Sequence, residues 1–276
     1  MTDYDIDACV RAIRERHSGP FPKSALILGS GLGRFGETMQ MDSVIPYGDI
    51  PGFPVSTVAG HSGKLLIGSI NGAPLVCMQG RMHLYEGYPA HRLAIPIRTL
   101  KALGVEQIVI TNAAGSTHLD MGPGSLMMIE DHINFSGQNP LIGPNDDRFG
   151  DRFFDMSDAW NADLRGQLQA AAKAEDVTLH SGVYLQVAGP NFETPAEVRM
   201  FAQWGADAIG MSTVPECLVA HHAGMKVAGI SVVTNLAAGI AKHALSHDET
   251  ITEANKAFEN MQRLLARFFA DGHKAA

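Results

Sequence analysis

Short apolar runs closed by glycine or by polar clusters recur along the whole chain. Ser24–Gly29, Lys64–Ile70, Ala73–Gln79, Gln107–Thr111, Ser125–Glu130, Thr178–Val187, Ala206–Met211 and Val227–Val233 each have the length and boundaries of a buried strand. Helical spacing fills the intervals. Asp5–His17 places Ile6, Cys9, Val10 and Ile13 on one face and stops at Gly19-Pro20. Ala90–Leu103 ends at Gly104, Trp160–Ala174 is rich in Ala and Leu, and Glu249–Phe269 is amphipathic. Thr194-Pro195-Ala196-Glu197 reads as a capping box with Pro at the first helical position, and Thr213-Val214-Pro215-Glu216 repeats its Thr-x-x-Glu spacing. Asn71-Gly72 predicts a tight hairpin between its two flanking strands. Strands alternating with helices predict an α/β three-layer sandwich around a mixed, mainly parallel sheet, to which the hairpin adds antiparallel pairs. No break in composition, repeat or low-complexity stretch divides the chain, so one domain over residues 1–276 is expected. Gly137–Asp151, rich in Gly, Pro, Asn and Asp, predicts a long loop of the functional or interfacial kind.

Composition narrows the classes of function. The 276 residues are 45% apolar, enough for a substantial core. A net charge of −8 leaves no broad electrostatic footprint for nucleic acid or an anionic membrane, so neither is an expected partner. Any bound anion must be met by local groups. Three cysteines, Cys9, Cys77 and Cys217, lie far apart, which argues against a disulfide framework and a cysteine zinc site. The first thirty residues carry no signal-peptide pattern, and Val227–Ala241 is interrupted by Gly229, Asn235 and Gly239 and too short to span a bilayer. A soluble protein of the reducing cytoplasm is expected.

Candidate chemistry concentrates after the strands. Gly80–Pro89, GRMHLYEGYP, follows the run APLVCMQ, and its Arg81, His83 and Tyr85 would share one face in extended chain. A guanidinium, an imidazole and a phenol together suit an anion and hydroxyl groups, and the planar fork of Arg suits phosphate. Ser30, Asn112, Glu193, Ser212 and Asn235 also fall where strands are expected to end, the crevice in which open α/β sheets bind ligands. Gly31–Gly36 matches the dinucleotide spacing G-x-G-x-x-G. No acidic residue closes a second strand downstream, however, since Asp49 lies in YGDIPGFP. The glycine loop with Ser30 therefore reads better as a cradle for a single phosphate. His221 and His222 fall on a predicted helix and read as structural; His243 and His247 have i, i+4 spacing without an intervening Glu, so no metal is expected. His61, in AGHSG, suggests a mobile lid. No Ser-His-Asp or Cys-His arrangement stands out, so the nucleophile is not expected to be a side chain.

In order along the chain stand GSGLG, GFPVSTVAGHSG, QGRMHLYEGYP, TNAAG, DHINFSGQNPL, GPNDDRFGDRF, GPNFETPAE, GMSTVPE and TNLAAG. With these motifs the sequence resembles the trimeric purine nucleoside phosphorylases, the group that includes the methylthioadenosine phosphorylases. The resemblance implies the nucleoside phosphorylase fold and phosphorolysis of a purine nucleoside to the free base and ribose 1-phosphate. It requires no cofactor, since inorganic phosphate is a co-substrate, and it implies a homotrimer working in purine salvage. By the same resemblance Ser30, His61, Arg81, His83, Ser212 and the backbone of Ala113 meet phosphate, and Tyr85, Met211 and His247 meet ribose. Phe153 would reach the ribose pocket of a neighbouring subunit, and Phe192, Glu193, Asn235 and Ala113 would meet the base. His83, Glu193 and Asn235 would carry the chemistry. The run Ser116-Thr117-His118 departs from a Gly-containing stretch of some members. Pairing an acceptor-only Glu193 with Asn235 favours 6-oxopurines, inosine and guanosine. A methylthioadenosine or 6-aminopurine phosphorylase is the same-fold rival. A dinucleotide-dependent oxidoreductase and a purine-binding protein without activity are the rivals of other classes.

Overall fold

The computed structural model describes residues 5–57, 62–241 and 245–275, with the side chains of 247, 249 and 275 also outside the description. Strands β1 (Ser24–Ile27), β2 (Gln40–Pro46), β3 (Lys64–Ile70), β4 (Ala73–Gln79), β5 (Gln107–Ser116), β6 (Leu126–Asn134), β7 (Leu179–Gln186), β8 (Ala208–Gly210) and β9 (Lys226–Leu236) form one mixed sheet in the order β2-β3-β4-β1-β5-β8-β7-β6-β9. β9 also pairs with β5 in parallel over ten rows, so the five strands β5-β8-β7-β6-β9 close into a ring. The pairs β1–β4, β1–β5, β5–β9, β6–β7 and β7–β8 are parallel, as the strand and helix alternation predicts. The β3–β4 hairpin is antiparallel and turns at Asn71 (φ 47°) and Gly72 (φ 80°), the left-handed conformations its two-residue turn requires.

Helices α1 (Ile6–Arg16), α2 (Ala94–Ala102) and α5 (Val214–His222) cover one face, with Ile13, Ile97 and Val219 packed on Ile27, Ile110 and Val233. On the other face α3 (Ala162–Ala174), α6 (His247–Lys256) and α7 (Phe258–Ala275) cover Val109, Ile230 and Val232 through Leu168, Ala254 and Leu264. Central strands buried on both sides need apolar residues at consecutive positions, which is why they read as unbroken runs. A smaller cluster joins α4 (Pro195–Gln203) to β7 and β8 through Phe201, Leu185 and Ile209.

Several boundaries differ from the sequence expectation. β5 and β9 extend through Asn112 and Asn235, which therefore sit inside strands and not beyond their ends. The β5–β9 ladder holds TNAAG extended, with a register shift between Ala114 and Gly115 that leaves Thr234 without a row partner. Strand β2 escaped the pattern because it is a mostly exposed edge of QMDSVIP. Residues 81–83 form no strand, and Leu84–Glu86 is a 3-10 turn. Ala90–Leu93 is also 3-10, and Trp160 precedes its helix, buried with its indole N–H donated to His132 Nδ1 at 3.0 Å. The last helical stretch divides into α6 and α7. After β1 comes only a 3-10 turn over Gly33–Thr38, then an antiparallel edge strand, so Gly31–Gly36 lacks the helix and parallel second strand of a dinucleotide fold. Among the described residues no helix is long and apolar enough to cross a membrane.

Candidate active site

A cavity of about 330 Å³ opens just past the ends of β1, β4 and β8, against Asn112–Gly115 within β5 and Thr234 and Asn235 within β9. Its wall brings together Ser30, Arg81, His83, Tyr85, Ala113, Phe192, Glu193, Met211, Ser212 and Asn235. Of the other expected residues, Phe153 is 87% exposed and contributes nothing to this wall in its own chain. His61 and His243 lie outside the described residues. His247 begins α6, but its side chain lies outside them also; Thr250, one turn on, lines the cavity.

Arg81 is 1% exposed and held from three directions. Its Nη1 donates to Thr213 Oγ1 at 2.9 Å and to Ser212 Oγ at 3.3 Å, and pairs with Glu216 Oε1 at 3.5 Å. Its Nη2 donates to the Thr111 carbonyl. Asn112 Nδ2 donates to the same Thr213 hydroxyl at 2.9 Å. Thr213-x-x-Glu216 is therefore not the capping box its spacing suggested: Thr213 makes no side-chain cap, and Glu216 turns to Arg81. The backbone agrees, because Thr213 has φ 81° and ψ −47°, with Val214 N–H donated to the Ser212 carbonyl at 2.9 Å. This is the strained γ-turn, and a β-branched residue in it costs about 1–3 kcal/mol.

His83 stacks on Tyr85 with ring centroids 4.7 Å apart, and its Nδ1 lies 3.1 Å from Glu86 Oε1. Burial raises the Glu86 carboxyl, but hydrogen bonds from His83 and Thr57 outweigh it and bring the pKa down to about 2. An ionised Glu86 only accepts, so Nδ1 carries the proton and a neutral ring leaves Nε2 as an acceptor. Burial also lowers the pKa of His83 itself, against the pull of Glu86. Thr57 donates its N–H and its hydroxyl to Glu86 Oε2, tying the segment before residue 58 to the same carboxylate.

The remaining wall is built by close backbone approach. A Cβ on Gly189 would fall 2.5 Å from Met211 Sδ and 3.0 Å from Tyr85, so those two side chains meet over the bare glycine. Glu193 directly precedes the Thr194 cap of α4, whose reciprocal bonds with Glu197 hold the segment. Burial raises the pKa of Glu193, its own backbone N–H lowers it, and Glu197 raises it again. Asn235 Oδ1 accepts from Thr234 Oγ1 at 3.1 Å, and its Nδ2 donates to the Leu236 carbonyl at 3.1 Å. The roles of Thr213, Glu216, Asn112 and Glu86 were not legible in the sequence, except that Thr-x-x-Glu directly after Ser212 marked the place.

A sequence model of the phosphorylase superfamily matches residues 23–270. Purine nucleoside phosphorylase 1 of Bacillus subtilis is 52% identical over 238 residues, covering 86% of this chain and 88% of its own length. The purine nucleoside phosphorylase of Bos taurus is 43% identical over 261 residues, covering 92% and 90%. A Schistosoma mansoni purine nucleoside phosphorylase solved with inosine matches at a TM-score of 0.90 and 36% identity, over 95% of this chain and 94% of that one. A Schistosoma mansoni purine nucleoside phosphorylase has also been solved with adenosine, at a TM-score of 0.90 and 36% identity.

Proposed function

The chain belongs to the phosphorylase superfamily and, within it, to the purine nucleoside phosphorylases, and from that premise we propose that it cleaves 6-oxopurine ribo- and deoxyribonucleosides. Inosine and guanosine react with inorganic phosphate to give the free base and (deoxy)ribose 1-phosphate, a step of purine salvage. The observation that carries this reading is one cavity lined by both a cationic, hydroxyl-bearing set and a Phe–Glu–Asn set. Arg81, His83, Ser30, Ser212 and the Ala113 backbone hold phosphate, and the family resemblance adds His61 to this set. Tyr85 and Met211 flank the ribose, the resemblance assigns His247 to its 5′-hydroxyl, and Phe192 packs on the base.

In the reaction, a phosphate oxygen bonds to the anomeric carbon as the bond from that carbon to the purine nitrogen breaks. The sugar passes through an oxocarbenium-like state, and the bonding pair leaves with the purine. A fixed dianion beside the cation and donors at the departing base favour that state over the ground state. Holding both substrates together removes the entropic cost of their encounter. No step calls for a metal or organic cofactor. Glu193 accepts from N1–H, and Asn235 donates to O6; once the departing purine anion has taken a proton from water at N7, the Asn235 oxygen accepts from that N7–H. Adenine reverses both edges at the 6-position, and each buried mismatch costs about 1–3 kcal/mol.

The test compares catalytic efficiencies for inosine and adenosine, with phosphate present, by following release of the base. Inosine is expected to exceed adenosine by roughly a thousandfold. Schistosoma mansoni purine nucleoside phosphorylases have been solved with adenosine and with inosine, so turnover and not occupancy is the proper readout. Asn235→Asp should narrow the ratio while lowering total activity, because it sets two oxygens against each other at Leu236. Comparable efficiencies in the unmodified protein would refute 6-oxopurine selectivity, and absence of hypoxanthine would refute the reaction.

A further inference from the structure

Thr213 is fully buried behind the cavity wall, which passes through its neighbour Ser212. Its hydroxyl lies 2.9 Å from Arg81 Nη1 and 2.9 Å from Asn112 Nδ2, and both of those groups can only donate to it. Two donors occupy both lone pairs of the oxygen. The remaining function of the hydroxyl is its proton, and Ser212 Oγ stands 3.1 Å away to accept it. Ser212 Oγ also receives Arg81 Nη1 at 3.3 Å, so it too is filled as an acceptor and must give its own proton elsewhere. Behind it, Tyr184 accepts the Ser212 N–H at 3.3 Å and also makes a hydrogen bond with the Ser212 side chain.

We propose that Thr213 is the positioning residue of the phosphate end of the site: its hydroxyl aims the Arg81 fork and, by donating to Ser212 Oγ, fills that oxygen as an acceptor. The consequence is that the Thr213 and Ser212 hydroxyls keep no spare lone pair to oppose a bound oxyanion, while His83 Nε2 stays an acceptor in the same wall. A strained γ-turn is what brings the hydroxyl inward, since the ordinary cap geometry that the Thr-x-x-Glu spacing suggests would direct it to the helix N–H groups. The strain and the function thus share one cause. Glu216 completes the arrangement by holding Nη1 from the far side without reaching the cavity.

The inference rests on the reading of Arg81 as a phosphate ligand, and the experiment keeps the two apart. Thr213→Val, Thr213→Gly, Thr213→Ser and Arg81→Ala are assayed against phosphate at saturating inosine and against inosine at saturating phosphate, with a thermal melt of each. Thr213→Val and Thr213→Gly should raise the KM for phosphate about tenfold or more, leave the KM for inosine within about twofold, and lower kcat. Thr213→Gly should do so at a melting temperature above that of Thr213→Val, because glycine accepts φ 81° without strain and offsets part of the cost of the lost hydroxyl. Thr213→Ser keeps the hydroxyl and should restore the phosphate KM. If Thr213→Val does not fold, the contrast between serine and glycine decides. A normal phosphate KM in Thr213→Gly beside a raised one in Arg81→Ala overturns the role of Thr213 alone. A normal phosphate KM in Arg81→Ala overturns the phosphate assignment with it.

Discussion

At the scale of single residues, Glu193 shows how burial and chemistry interact. Its pKa is raised mainly because the carboxylate is removed from water, with Glu197 pushing the same way. The sign follows directly. A raised pKa keeps the acid protonated to higher pH, and a protonated Glu193 has lost acceptor capacity for N1–H. kcat/KM for inosine should therefore fall as pH drops through the raised value, with an acid limb above the ordinary carboxylate range. Glu193→Gln should lower activity and flatten that limb; an unaltered acid limb in Glu193→Gln would move the titration to another group. His83 behaves in the opposite sense, since burial lowers its pKa and favours the neutral ring. Glu86, down at about 2, stays ionised throughout and keeps the ring oriented.

At the scale of elements, the site depends on how closely β1 approaches β5. The Gly29 N–H donates to Thr111 Oγ1 at 3.2 Å, and that hydroxyl donates to the Ile27 carbonyl at 2.8 Å. A Cβ on Gly29 would fall 2.7 Å from Asn112 Cα and 2.9 Å from the Thr111 carbonyl oxygen, both backbone atoms that cannot swing away. The same Thr111 carbonyl receives Arg81 and the same Asn112 holds Thr213, so pushing the strands apart loosens Arg81 and Thr213 together. Gly29→Ala should cost about 1–3 kcal/mol of stability and weaken phosphate more than inosine. Denaturant unfolding together with the two KM values checks this, and a variant as stable and active as the parent would show that the strands have slack.

At the scale of the whole molecule, the irregular stretch from residue 137 to 161 is held down without helix or strand. Asn145 donates to the Gly150 carbonyl at 2.9 Å, Arg98 lies 5.0 Å over the Phe149 ring, and His222 Nε2 meets the Asp151 carbonyl at 3.1 Å. Two residues later Phe153 projects 87% exposed. A segment anchored this firmly and ending in a bare aromatic suits a second copy of the chain, and a head-to-tail contact closing after three copies gives each subunit one borrowed residue. Phe153→Ala should then raise the KM for inosine and leave the phosphate KM and melting temperature nearly unchanged, because the ring stabilises little in its own subunit. Sedimentation of a fully active monomer at assay concentration would dismiss the trimer.

Local information suffices for some of this protein and not for the rest. Apolar period and length, with Asn71-Gly72, determined the hairpin residue for residue, and Thr194-Pro195-Ala196-Glu197 determined the start of α4, because turn and cap energies act within a few residues. Ten of the residues that the ordered motifs singled out, from Ser30 to Asn235, line one cavity together with others that the sequence left unassigned. Tertiary structure decided what contacts between distant segments decide. The ladder between β5 and β9 keeps Asn112 and Asn235 inside strands, and the closure of five strands into a ring arises only when β9 returns to β5. Two Thr-x-x-Glu sequences of equal spacing parted in the same way. Glu197 caps its own helix, whereas Glu216 and Thr213 face a buried guanidinium 132 to 135 positions away in the chain, whose unmet charge outweighs one cap.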